Sequence, residues 1–195
     1  PDAFRSYKNA TLIRLPRPEP QAKPLFDELH MADAVVPQAL DFNSIARLFY
    51  HSLALSGWVT SNGKHWPLRC VPSAGGMHPT EVYLWCGPLQ GFTPTPSLFH
   101  YNAYEHGLAL RATLTDAPWR CVLGQLPNDT VLLGLTSIHW RSSWKFGVRA
   151  YRFCQHDLGH ALGALAYAAA ALGWHTSLLP VTDPGLVRLL GIASQ

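Results

Sequence analysis

Arg69-Cys70-Val71-Pro72-Ser73-Ala74-Gly75-Gly76-Met77-His78-Pro79 leads, after Thr80, straight into Glu81-Val82-Tyr83-Leu84-Trp85-Cys86. Two prolines and two adjacent glycines do not fit inside a regular element, so the first stretch reads as a shaped loop. The second stretch is apolar, aromatic and β-branched, which is strand composition. The rest of the fold is read outward from this loop-and-strand pair.

On the C-terminal side, Leu98–Tyr101 and Leu108–Arg111 read as the arms of a hairpin around Asn102–Gly107. Ala117–Leu126 is predicted to be a short helix, and Thr130–Thr136 a strand buried on both faces. From Ser143 to Leu172 there is no proline, and the composition favours one long helix through the centre of the domain. Ser142 or Ser143 can cap its start and Gly173 can end it. Gly159 and Gly163 lie four apart on it among small residues, a face that lets another backbone approach closely. Thr176–Pro180 is expected to be a short strand, and Asp183–Leu190 a last helix capped by Asp183.

On the N-terminal side, residues 57–68 are turn-rich, with Gly57, Asn62-Gly63 and Pro67. Residues 42–56 read as an amphipathic helix capped by Asp41 or Asn43, with Ile45, Leu48, Phe49 and Leu53 on one face. Residues 1–24 hold five prolines and predict an extended arm over a surface, ahead of a domain covering residues 25–195. Helices interleaved with hairpin-type strands give an α+β class: a central, mainly antiparallel sheet flanked by helices.

The chain has 195 residues, 48% hydrophobic and 14% charged, which describes a folded domain with a real core. A formal net charge of +3, carried by scattered basic residues, does not point to nucleic acid. The apolar run Leu158–Trp174 is rich in Ala and Gly, contains His160 and is short for a membrane span, so a buried helix is expected and no membrane partner. Cys70, Cys86, Cys121 and Cys154 form no C-x-x-C, which suits a reducing, cytoplasmic setting. The opening Pro1-Asp2-Ala3-Phe4-Arg5 has no apolar core, so no signal peptide is expected, and its lack of Met fits a piece of a longer chain.

Three constellations bear on chemistry. The loop from Arg69 to Pro79 can expose backbone N–H groups and let a flat ligand come close, or it can be an ordinary turn into a strand. Arg69 at its edge can supply a cation to a phosphate or carbonyl. No G-K-[ST] follows and no strand precedes, so it is neither a Walker nor a Rossmann loop. Lys145, Arg149 and Arg152 at i, i+4 and i+7 fall on one face of the predicted long helix, in its first turns. Such a row is either a solvated face or an anion site, and the nearest acid, Asp157, lies beyond it. His156 and His160 have metal-ligand spacing, but no further ligands are apparent and H-E-x-x-H is absent, so no metal is expected. Ser73 lacks the G-x-S-x-G elbow of a hydrolase nucleophile.

The loop and strand, from Arg69 to Tyr83, resemble the R-x-x-P-S-A-G-[GA]-[LM]-[HY]-P-x-E-x-Y signature of SagB-type dehydrogenases in the nitroreductase superfamily. Arg141-Ser142-Ser143-Trp144-Lys145-Phe146-Gly147-Val148-Arg149-Ala150-Tyr151-Arg152-Phe153 is similar to their R-x-x-W-K-Y-x-x-R-A-Y-R-Y segment. Asp157-Leu158-Gly159-His160 resembles their D-x-G-H, and the stretch from Asp183 to Gly191 their closing segment. The opening Pro1–Tyr7, with Leu15-Pro16, resembles the start of one half of the tandem members.

The resemblance implies a nitroreductase-like fold, FMN as cofactor, and two-electron redox chemistry, with an azoline in a peptide or a small molecule as substrate. It implies a homodimer or a tandem partner half that completes the site. It assigns Pro72, Ser73, Ala74, Gly75, Gly76 and His78 to the flavin, Arg69, Arg149 and Arg152 to its phosphate or ring oxygens, and Lys145 to removal of the substrate proton. Three departures qualify it. Phe146 replaces the tyrosine of the Lys-Tyr pair, Leu29–Ala34 stands where an R-R-S segment usually meets the phosphate, and the chain stops soon after Gly191. A non-catalytic half that supports an active partner is therefore the alternative expectation.

Overall fold

The computed structural model describes residues 2–21, 24–31 and 33–192; Ala32, within the Leu29–Ala34 segment, lies outside them. Among the described residues seven strands and five α-helices follow in order: β1 (Leu12–Arg14), α1 (Phe42–Ser52), β2 (Leu55–Ser61), β3 (Lys64–Arg69), β4 (Thr80–Cys86), β5 (Ser97–Asn102), β6 (Gly107–Thr113), α2 (Asp116–Leu123), β7 (Leu132–Ser137), α3 (Trp140–Phe146), α4 (Ala150–Ala170) and α5 (Asp183–Leu189). Five strands form one sheet in the order β1-β6-β5-β4-β7, and every neighbouring pair is antiparallel.

β4 is buried almost throughout because both faces of the sheet are covered. Its period-2 alternation sends Val82, Leu84 and Cys86 to one side and Tyr83 and Trp85 to the other. The first side packs against Ile45, Leu48 and Phe49 of α1 and Ala161, Leu165 and Ala168 of α4. The second packs against Trp119 and Leu123 of α2 and Leu190 beyond α5. Each large side chain fully buried here contributes about 1.5–3 kcal/mol. Asp41 starts α1 by accepting the Ser44 N–H at 2.8 Å, while the Ser44 hydroxyl accepts the Asp41 N–H at 2.8 Å. This reciprocal cap stabilises the helix by about 1 kcal/mol.

Several sequence expectations are corrected. The turn-rich region 57–68 is a regular two-stranded hairpin, β2–β3, and Asn62 and Gly63 at φ 51° and 71° make its two-residue turn. β7 begins at Leu132, two residues later than expected, and is an edge strand; Leu132 and Gly134 are buried against one cluster, while Leu133 and Leu135, half-buried, pack against the other, and only Ser137 at its end is exposed. Thr176–Pro180 joins no sheet among the described residues. The last helix is capped by Thr182, one residue before the expected Asp183, whose side chain is outside the described set.

The expected long helix is present as α4, 21 residues long, but its start is corrected. The run from Ser143 to Leu172 is split: α3 ends at Phe146, a 3-10 turn spans Gly147–Arg149, and α4 begins at Ala150. Gly147 adopts φ 55° and ψ −133°, a conformation open to glycine and costly for any residue with a Cβ. Ser142 and Ser143 therefore lie inside α3 and cap nothing, and Lys145, Arg149 and Arg152 do not form a row on one helix face. Gly173, at φ 71°, does follow the end of α4. One face of α4 packs on α1 and the sheet, while Gly159 and Gly163 are exposed, with open space where a Cβ would stand.

Candidate functional site

The loop between β3 and β4 is held by buried charges beneath it. Asp157 of α4, 3% exposed, accepts the Ser73 hydroxyl at 2.6 Å and the Ala74 N–H at 3.0 Å. The Ser73 oxygen in turn accepts the His78 N–H at 2.8 Å. One carboxylate thus fixes both ends of a six-residue bend. The hydroxyl and the amide it holds are not presented outward.

A second clamp sits at the far end. Arg141 of α3 donates to the His78 carbonyl at 2.9 Å and to Glu81 at 2.5 Å. His100 of β5 contacts the other Glu81 oxygen at 2.6 Å. All three side chains are buried, at 3%, 4% and 1% exposure. Burial alone would raise the Glu81 carboxyl, but the hydrogen bonds and charges of His100 and Arg141 hold it below the usual carboxylate range. A glutamate inside an otherwise apolar strand demands such partners. That demand is the sequence signal by which Glu81, Arg141 and His100 could have been found as a unit.

Above these clamps Gly75 takes φ 62° and is exposed. Lys145 Nζ donates to its carbonyl at 3.2 Å. A Cβ on Gly75 would stand 2.8 Å from that nitrogen and 2.9 Å from the Phe146 ring, so only glycine fits under the two side chains. Phe146 is backed by Phe153 at 4.4 Å between ring centres. The turn at Gly147 is what points Lys145 at the loop. Arg149 and Arg152 follow it on the exposed start of α4, with Arg152 Nε 3.5 Å from His156 Nε2. Neither they nor Lys145 makes an ion pair among the described residues.

The remaining expected site residues have other surroundings. Pro72 and Gly76 lie on the loop, exposed and half-buried. Arg69 points to the N-terminal arm: it donates to the Ala3 carbonyl and covers the Phe4 ring at 5.3 Å. His78 is buried beneath the loop; burial first, and then the Arg69 charge, lower its pKa to about 4, so the ring is neutral. Among the described residues no group of His, Cys, Asp or Glu is placed to hold a metal, and no helix is long and apolar enough to cross a membrane.

No family model and no curated protein matches the chain at the level of sequence. Solved structures do match. A candidate nitroreductase from Anabaena variabilis superposes over 98% of this chain with a TM-score of 0.76 and 25% identity. This chain spans only 38% of that protein's length. A candidate nitroreductase from Ralstonia eutropha covers 98% of the chain, and 87% of its own length, at a TM-score of 0.67 and 16% identity. The McbBCD microcin synthetase complex of E. coli, solved with truncated pro-MccB17 bound, matches 94% of this chain and 73% of its own at a TM-score of 0.63 and 17% identity. The chain therefore has the nitroreductase-like α+β fold.

Proposed function

We propose that this chain is an FMN-dependent oxidoreductase whose cofactor lies on the Ser73–Gly76 loop beside Lys145. The observation that carries the reading is the contact between Lys145 Nζ and the Gly75 carbonyl on a nitroreductase-like fold. A cradle that a single Cβ would fill, next to cations without acidic partners among the described residues, suits a flat, phosphorylated ring. When bound, FMN supplies two-electron hydride chemistry.

The chain's own residues then divide the work. Gly75 and Gly76 allow close approach, and Lys145 with Arg149 and Arg152 stabilises negative charge on phosphate or ring. Lys145 is also the candidate for moving the substrate proton. Asp157, with Arg141 and Glu81, keeps the loop rigid. Arg69 and His78 support the loop from beneath. Pairing with a second copy or a tandem half would complete the site, in a cytoplasmic setting. The finer reading is SagB-type oxidation of a peptide azoline.

The second reading is a half that supports an active partner. Phe146, which offers no hydroxyl, packs over Gly75, and the chain spans 38% of its longer structural neighbour. Absorbance separates the two. Flavin bands in the purified protein, or saturable binding of added FMN, support the enzyme. A colourless protein that ignores FMN supports the second reading.

A further inference from the structure

Directly beneath the loop lies a small cavity lined by Leu53, Arg69, Ser73, His78, Thr80 and Ala161, among others. It leaves about 20 Å³ for the centre of a water molecule. Three side chains on its wall each bury a polar atom with no hydrogen-bond partner among the described residues: Arg69 Nε, His78 Nε2 and Thr80 Oγ1. Leaving such an atom unmade costs about 1–3 kcal/mol, so three around one space is a large penalty for chance. His78 itself is 6% exposed.

We infer that this cavity is a binding site for one ordered water molecule, shared by Arg69, His78 and Thr80. The chemistry of the wall selects the ligand. Arg69 Nε–H only donates. We assign the ring proton of His78 to Nδ1, the nitrogen on the side of the Pro67 carbonyl, because Nε2 has no partner among the described residues. Nε2 then presents a lone pair and only accepts. The bound species must therefore accept from the guanidinium and donate to the imidazole at once. A halide cannot donate, an ammonium or metal ion cannot accept, and a carboxylate is too large. Water does both and has a third partner in the Thr80 hydroxyl, and the space exceeds the roughly 10–15 Å³ that one water needs.

The water joins three segments that otherwise do not touch through these atoms. Arg69 holds the N-terminal arm at Ala3 and Phe4, the His78 N–H holds Ser73 in the loop, and Thr80 opens β4. The arm and the loop are coupled through one molecule.

A high-resolution crystal structure of the unmodified chain tests it. The expected result is one water-sized density peak within hydrogen-bond distance of Arg69 Nε and His78 Nε2. An empty cavity, or a rotated His78 ring bonded directly to protein, overturns it. A bromide soak that places anomalous signal in the cavity also overturns it, by assigning an anion. In solution, oxygen-17 relaxation dispersion should count one long-lived water fewer in Ala161→Val, whose added methyls fill the space. An unchanged count in a folded Ala161→Val protein overturns the inference.

Discussion

The Asp157 carboxylate and the Ser73 hydroxyl lie 2.6 Å apart, although 84 positions separate them in the chain. With the Ala74 N–H on its other oxygen, Asp157 makes the loop part of α4. Asp157→Asn leaves only one carbonyl for two donors. The variant should lose about 1–3 kcal/mol of stability in urea titration and bind FMN more weakly. Unchanged stability and unchanged flavin affinity would show that the loop keeps its shape without this clamp.

Gly75 and Gly76 both have positive φ, at 62° and 69°, but differ in surroundings. An alanine methyl at 75 meets Lys145 and Phe146, while at 76 nothing lies within 4 Å. Both substitutions cost backbone strain of about 1–2 kcal/mol. Only Gly75→Ala should also displace Lys145 and lower flavin affinity. Equal flavin affinities in the two variants would sink the cradle assignment.

Arg149→Ala should weaken FMN binding about tenfold, the loss expected for one charge-assisted contact. Arg188→Ala, which removes an exposed charge on α5, is the matched control. If the two titrations agree, Arg149 does not contact the phosphate.

Phe146→Tyr places a hydroxyl near Lys145. Dehydrogenase turnover should rise if Lys145 handles the substrate proton. A flat result points to chemistry that uses no such acid.

The pH dependence of stability follows from His78. Its pKa falls from 6.5 to about 4 on folding, so the unfolded chain binds the proton more readily between those values. Stability is therefore full above pH 6.5 and is lost as pH falls toward 4, by on the order of 2–3 kcal/mol. His106, also buried and lowered, acts in the same direction. Urea midpoints measured across this window should fall on acidification, and less steeply in His78→Leu. A parallel slope in the variant would remove His78 from the account.

Much of this architecture was legible in the sequence because it is written locally. The apolar run of β4, the paired arms of β5 and β6 and the Asp41 cap each declare themselves within a few residues. The hairpin β2–β3 is not legible in the sequence because Trp58, Thr60, His65 and Trp66 do not alternate cleanly between apolar and polar, and a two-residue turn beside Gly57 and Pro67 looks like more loop. The split helix was missed because Gly147 is tolerated by a helix pattern, and only the packing of Lys145 and Phe146 over Gly75 reveals why the chain turns there. The site was half legible. The loop and its cations carry recognisable spacing, whereas Asp157 to Ser73 and Arg141 to Glu81 are pairings across the fold that no periodicity encodes.

The bend at Gly147 has a consequence for how this chain can change. Were the position filled by a residue with a side chain, α3 and α4 would be driven to fuse into one rod, each residue advancing about 100° around a common axis. The ammonium of Lys145 would then leave the Gly75 carbonyl. A single hydrogen in place of a methyl keeps that ammonium on the Gly75 carbonyl, so drift at residue 147 would reach the loop while leaving every residue of the loop intact.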